Sequence, residues 1–173
     1  VKAEDTPRER ERSGPASIGT VAAIIEMLRS AEQTLAVAES CTGGWLGREL
    51  TSVPGASACF WGGVIAYDDS AKVRLLSVSP ETLTMHGAVS EQTAVEMAAG
   101  AAAVSGATWG VGITGVAGPG GGTLEKPVGT ICVAVSGPRP RRLTWHLQGQ
   151  REDVRREAVI RTLGILAEVL ARP

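Results

Sequence analysis

A short apolar run, Thr34 to Ala38, passes directly into Glu39-Ser40-Cys41-Thr42-Gly43-Gly44 and then into a helical segment, Trp45 to Thr51. This strand–turn–helix unit constrains the fold more than any other feature. A strand that runs into a helix through a tight glycine turn belongs to a sheet whose faces are covered by helices. The rest of the chain keeps to that alternation. Ile18 to Ser30 carries apolar residues at helical spacing (Ile18, Val21, Ala22, Ile25, Leu28). Ser52 to Ser57 reads as a loop around Pro54-Gly55, Cys59 to Tyr67 as a strand, and Ser70 to Leu76 as a short helix. Ser79-Pro80-Glu81 suits a helix start, with Pro at the first helical position. Ser90 suits the N-cap of an Ala-rich helix from Glu91 to Val104. Trp109 to Thr114 is a strand, and Gly115 to Gly122 a glycine loop. Gly129 to Val135 and Arg142 to Leu147 form a strand pair around Gly137-Pro138. A last helix runs from about Glu152 to Ala171, with Val154, Ala158, Ile165, Leu166 and Val169 as its buried stripe. The expected fold is α/β, a three-layer α/β/α sandwich around a mixed β-sheet, in a single domain.

A chain of 173 residues supports one such domain with a full core. The expected domain is 17–173, and residues 1–16, charged and Pro-containing, read as a disordered tail. No apolar run reaches the roughly 20 residues of a membrane span, so no membrane partner is expected. The start of the chain lacks the apolar stretch of a secretory signal. Net charge is −1, which argues against nucleic acid, since phosphate backbones select strongly basic surfaces. Cys41, Cys59 and Cys132 are isolated and never in Cys-x-x-Cys spacing. A disulfide framework or zinc site is therefore not expected, and a reducing cytoplasm is the natural setting. No carboxylate–histidine cluster suggests a metal, and no cofactor is expected.

Four stretches could carry chemistry. The turn Ser40 to Gly44 places a side chain at the sheet edge and aims free helix N–H groups at whatever sits there. That suits a serine nucleophile with an oxyanion hole formed by the N–H groups around Thr42, Gly43 and Gly44. It suits phosphate binding equally, and a plain N-cap and turn is the ordinary reading. Cys41 is an alternative nucleophile, but the sequence has no Asn and only His86 and His146 to activate it. Those two histidines read as structural.

The second stretch is Tyr67-Asp68-Asp69-Ser70-Ala71-Lys72. Tyr67, the only tyrosine, either flanks an aromatic substrate at the sheet edge or is a half-buried core ring. Lysine is scarce (Lys2, Lys72, Lys126) beside many arginines. Lysine can give up its proton where arginine cannot, although a solvated helix residue is the ordinary reading of Lys72.

The third stretch, Thr114 to Gly122, could present successive N–H groups as an anion nest or be a surface loop. Gly110-Val111-Gly112-Ile113-Thr114-Gly115 satisfies Gly-x-Gly-x-x-Gly, but these glycines lie inside a strand and no helix follows, so it is not a dinucleotide fingerprint. The fourth stretch, Gly149 to Arg156, puts Arg151 at a helix N-terminus, where a guanidinium suits a phosphate. Ion pairing with Glu152 or Asp153 is the alternative, and Arg155, one turn along, could face the same site.

In combination these stretches resemble one family. Ala38-Glu39-Ser40-Cys41-Thr42-Gly43-Gly44, Pro54-Gly55-Ala56-Ser57, Gly63-Val64-Ile65-Ala66-Tyr67, Lys72, Gly87-Ala88-Val89-Ser90-Glu91, Gly112 to Pro119 and Lys126-Pro127-Val128-Gly129-Thr130 follow in the order of the CinA C-terminal domain. That family is also called nicotinamide-nucleotide amidase, or PncC. The resemblance covers about Ile18 to Leu170. It implies hydrolysis of the carboxamide of nicotinamide mononucleotide to nicotinic acid mononucleotide and ammonia, within pyridine nucleotide (NAD) recycling. It implies a nucleophile at Ser40, a base at Lys72, and Tyr67, Thr114 and Arg151 around the substrate. Gly115 and Gly118 of the glycine loop join Thr42, Gly43 and Gly44 as expected binding positions. No metal is implied. A homo-oligomer is, with a dimer as the expected form. The alternative is a non-catalytic nucleotide-binding or regulatory module of the competence-damage type. Two positions depart from the family pattern: Asp68 and Asp69 follow Tyr67 and bring negative charge towards Lys72, and Gln150 stands where an acidic residue is usual.

Overall fold

The computed structural model describes residues 18–171; the expected tail, residues 1–16, lies outside them. The elements in chain order are α1 (Ile18–Ser30), β1 (Leu35–Glu39), α2 (Trp45–Thr51), β2 (Phe60–Ile65), α3 (Asp69–Leu76), α4 (Pro80–His86), α5 (Glu91–Ser105), β3 (Trp109–Gly115), β4 (Thr130–Ser136), β5 (Arg141–His146) and α6 (Arg151–Leu170). The loop expected at 52–57 runs into a 3-10 turn at Ala56–Ala58. The expected strand from Cys59 to Tyr67 is shorter at both ends. Ala66 N–H still donates to Glu39 O at 2.8 Å, but Asp68 then caps α3 by accepting from Ser70 N–H at 2.8 Å. Tyr67 is therefore a linker residue, not a strand residue.

The five strands form one sheet in the order β2-β1-β3-β4-β5. β2, β1 and β3 are parallel; β4 runs antiparallel to β3, and β5 antiparallel to β4. Alternation along β1 divides the core. Leu35 and Val37 pack with Leu28 of α1, Leu46 and Leu50 of α2, and Leu163 and Leu166 of α6. Ala36 and Ala38 face Leu76 of α3 and Met97 and Ala101 of α5. The result is the expected three-layer α/β/α arrangement on a mixed sheet. The stripe of α6 is broader than its pattern suggested: Val159, Thr162 and Leu163 are buried as well, and Ile165 is only partly so. The helix packs against α1, α2 and β4. No described helix is long and apolar enough to cross a membrane.

The glycines of β3 serve packing. A Cβ on Gly110 or Gly112 would collide with the carbonyl oxygens of Ala98 and Ala94, so their absence lets α5 lie directly on the sheet. Glu39 at the end of β1 is level with Ile65 of β2 and Ile113 of β3. The chain leaving β1 turns towards the α1/α2/α6 layer, and the chain leaving β2 turns towards the α3/α5 layer. Where adjacent parallel strands send their connections to opposite faces, a crevice opens beyond their carboxyl ends.

Candidate active site

That crevice is a cleft of about 190 Å³. Ser40 and Cys41 enter it from the turn after β1, and Thr114 and Gly115 from the end of β3. Tyr67 comes from the β2–α3 connection, Asp69 and Lys72 from the first turn of α3, and Arg151 from the start of α6. Residues separated by more than a hundred positions thus meet at one sheet edge. The volume is below the roughly 300–1,000 Å³ of pockets that enclose drug-sized ligands. A cleft of this size encloses only part of a drug-sized ligand.

Ser40 is nearly buried, and its N–H donates to Ile113 O at 3.0 Å, which ties the turn to β3. Its hydroxyl makes no hydrogen bond to any described residue and is free to meet a ligand. Lys72 is 1% exposed. Its ammonium donates to Tyr67 O at 3.1 Å and to Asp69 Oδ1 at 3.0 Å, and not to Ser40 Oγ. Of the two acidic departures, Asp68 is turned to solvent as the α3 cap, whereas Asp69 reaches the lysine from the rim. Tyr67 is not a core ring: it is 63% exposed, with its hydroxyl 3.3 Å from Arg151 Nη2. Thr114 is buried and donates to Ala88 O at 2.8 Å.

The expected oxyanion donors need correction. Gly43 N–H donates to Ser40 O at 3.1 Å, and Gly44 N–H donates to Glu39 Oε2 at 3.0 Å. Neither is free, and Thr42, Gly43 and Gly44 do not line the cleft. The cause is Glu39, whose importance the sequence reading missed. It is the next inward position after Leu35 and Val37, and it is 1% exposed. Its carboxylate accepts from Thr42 Oγ1 at 2.6 Å, Gly44 N–H and Leu46 N–H at 3.0 Å, and Gly47 N–H at 2.8 Å. An internal anion thus occupies the N-terminus of α2, where an external one was expected. A buried acid immediately before the turn, at an inward position of β1, was the available signal. The N–H of Thr42 donates to no described residue.

Gly118 also differs from expectation. It contributes a carbonyl, which accepts from Arg151 Nη1 at 2.6 Å, and it does not line the cleft. Gly115 does line it, and a Cβ there would strike the Ile131 side chain and the Thr130 carbonyl. Arg151 and Arg155 separate clearly. Arg151 holds Gly118 O and Tyr67 Oη at the cleft mouth, whereas Arg155 is bound to the carbonyls of Cys41 and Thr42. Burial pushes the Cys41 thiol up to about 12, with Glu39 adding to the shift and Arg155 and Arg151 opposing it. A thiol held protonated is a poor nucleophile, so Ser40 is the better-placed group. No group of three or more His, Cys, Asp or Glu among the described residues could hold a metal.

The CinA C-terminal domain matches residues 19–170. A CinA-like protein of Anaeromyxobacter sp. is 49% identical over 144 residues, covering 83% of this chain and 35% of that protein. One of Cyanothece sp. is 56% identical over 113 residues, covering 65% and 27%. The chain therefore spans about a third of the length of these relatives. The solved structure of the competence/damage inducible protein CihA from Agrobacterium tumefaciens superposes with a TM-score of 0.84 at 37% identity, covering 90% of this chain and 96% of that one. The competence damage-inducible protein A from Klebsiella pneumoniae does so at 0.86 and 35%, covering 90% and 97%.

Proposed function

The chain belongs to the CinA C-terminal domain family, and from that premise we propose that it hydrolyses the carboxamide of nicotinamide mononucleotide to nicotinic acid mononucleotide and ammonia. The observation that carries the reading is a fully buried lysine, Lys72, in the same cleft as a serine hydroxyl without an internal partner. Lysine is almost never fully buried unless paired, and here its one charged partner sits at the rim, 56% exposed.

Ser40 Oγ attacks the carboxamide carbon while its proton passes to neutral Lys72. The tetrahedral intermediate collapses, the C–N bond breaks, and Lys72 returns the proton to the departing ammonia. Water, activated by the same amine, cleaves the ester and frees Ser40. Before the first step Lys72 must shed one proton, and half-exposed Asp69 offers it a route to solvent. Arg151 at the mouth offers donors to the substrate phosphate, and Tyr67 a ring face to the pyridine.

The test is release of ammonia and nicotinic acid mononucleotide by purified protein in the presence of a chelator. Ser40→Ala should lower turnover by several orders of magnitude. Lys72→Arg should match Lys72→Ala, because a guanidinium keeps the charge but cannot take the serine proton. The Asp69 contact, and the lack of a Ser40–Lys72 hydrogen bond, favour one rival, a nucleotide-binding module without catalysis. Binding of the mononucleotide with no ammonia released would support that rival.

A further inference from the structure

We propose that the backbone N–H of Gly115, at the end of β3, donates to the oxyanion formed when Ser40 attacks the carboxamide. The inference rests on Ser40 being the nucleophile. In that step Ser40 Oγ bonds to the carboxamide carbon, the C=O π pair moves onto the oxygen, and the serine proton passes to Lys72. The new negative charge needs a fixed donor inside the cleft. The turn into α2 does not supply one. Its N–H groups serve Ser40 O and Glu39, and Thr42 is 0% exposed and does not line the cleft.

The end of β3 does. Successive N–H groups of a strand point to opposite neighbours. Trp109 N–H donates to Thr34 O, just before β1, at 2.9 Å, whereas Val116 N–H donates to Thr130 O of β4 at 2.8 Å. The register of β3 is unbroken between them, so Gly115, with the parity of Trp109, aims its N–H at the β1 side. There Ser40 N–H donates to Ile113 O at 3.0 Å, and the next rung of that parallel ladder would join Gly115 N–H to Ser40 O. It is not formed. The chain has already turned towards α2, and Ser40 O accepts from Gly43 N–H at 3.1 Å. Gly115 N–H therefore has no partner among the described residues and faces the backbone of the nucleophile. Gly115 is partly exposed and lines the cleft together with Ser40, so a carbonyl held there meets both. The donor is also held still. Thr114 before it is tied to Ala88 O at 2.8 Å, and Val116 after it to Thr130 O. The missing Cβ lets Ile131 and the Thr130 carbonyl pack directly on this backbone.

A side-chain substitution does not delete an N–H, and a Cβ at Gly115 would collide with β4, so the experiment uses the unaltered chain. Thr-Gly occurs twice in the sequence, at Thr42-Gly43 and Thr114-Gly115. Threonine labelled with carbon-13 at the carbonyl, together with nitrogen-15 glycine, selects these two amides in a carbonyl-correlated NMR spectrum. Thr42→Ser tells them apart. The probe is the aldehyde analogue of nicotinamide mononucleotide, labelled with carbon-13 at the aldehyde carbon. Ser40 adds to that carbon and gives a tetrahedral adduct whose oxygen stands where the oxyanion forms. The Gly115 amide proton should then move downfield and exchange with solvent at least about tenfold more slowly, as for a hydrogen bond to a charged group. The Gly43 amide, already engaged by Ser40 O, should not respond. Ser40→Ala should abolish both the adduct and the Gly115 response. An adduct with Gly115 unmoved would overturn the proposal. Equal movement of both amides would overturn it too, because the turn would then be rearranging as a whole. Absence of the adduct sinks Ser40 as the nucleophile, and the amidase reading with it, whereas an adduct without the Gly115 response sinks only this role.

Discussion

At the scale of single residues, the site separates groups that the sequence presents as equivalent. Arg151 and Arg155 occupy successive turns of α6, yet only Arg151 lines the cleft, through contacts that a ligand could replace. Arg155 is bound to backbone carbonyls. Arg151→Ala should therefore lower kcat/KM for nicotinamide mononucleotide about tenfold to a hundredfold, the worth of a charge-assisted hydrogen bond of about 1.5–3 kcal/mol. Nicotinamide riboside, which lacks the phosphate, should be almost unaffected. Steady-state kinetics with both substrates checks this, and equal losses would assign Arg151 to the fold or the chemistry. Ser40, Cys41, Tyr67, Lys72, Thr114 and Arg151 were all legible as candidates, because strand ends and helix starts show in the sequence. Their choice of partners was not. Asp68 and Asp69 are the same residue type in adjacent positions, and only the helical direction of α3 sends one to solvent and the other to Lys72.

At the scale of elements, α2 has only seven residues, too few for a stable isolated helix. Gly44 at its N-cap makes no side-chain cap bond, and the carboxylate from the end of β1 supplies one instead. The acid neutralises orphan N–H groups and sits favourably at the positive end of the helix dipole. Glu39→Gln keeps the shape but removes the charge and turns an NH₂ towards at least one donor. It should cost about 2–3 kcal/mol, or a melting temperature lower by roughly 4–12 °C for a chain of this size, readable by circular dichroism. A shift of under a degree would show that α2 is held by Leu46 and Leu50 alone. The loop–helix boundary itself was readable from Gly43-Gly44. What stops the helix end from binding an external anion was not, because Glu39 looks like an ordinary polar end to a strand until its inward parity is known.

At the scale of the whole molecule, three cysteines are enclosed among the helices and strands, and burial raises the pKa of each. For Cys41 the folded value of about 12 lies above the ordinary 9.0. The stabilising contribution is therefore complete below about pH 9, where both states keep the proton. It is lost as pH rises towards 12, because the unfolded chain ionises first and the folded one resists. Urea unfolding at rising pH should show stability falling above about pH 9, with a shallower fall in Cys41→Ala. An identical slope in the variant would place the alkaline sensitivity elsewhere. Near pH 8 the same burial should leave Cys41 unreactive to iodoacetamide in the folded protein.

The sequence by itself determined the elements, their order and the layered α/β/α class. Periodicity, N-cap residues and glycine turns are local properties, and local physics fixes them within a few residues of each boundary. It also determined which chemical types could act, since a lone Tyr, a rare Lys and a Ser in a strand–helix turn are visible without coordinates. Only the tertiary structure decided which N–H groups remain free, which arginine faces the cleft and which aspartate meets the lysine. Those outcomes depend on Glu39 reaching α2, on α6 returning to the turn after β1, and on α5 lying against the glycines of β3. Each is a contact between distant segments, set by which face of an element turns inward. A donor satisfied by a neighbour from elsewhere in the chain leaves no mark on the sequence around it.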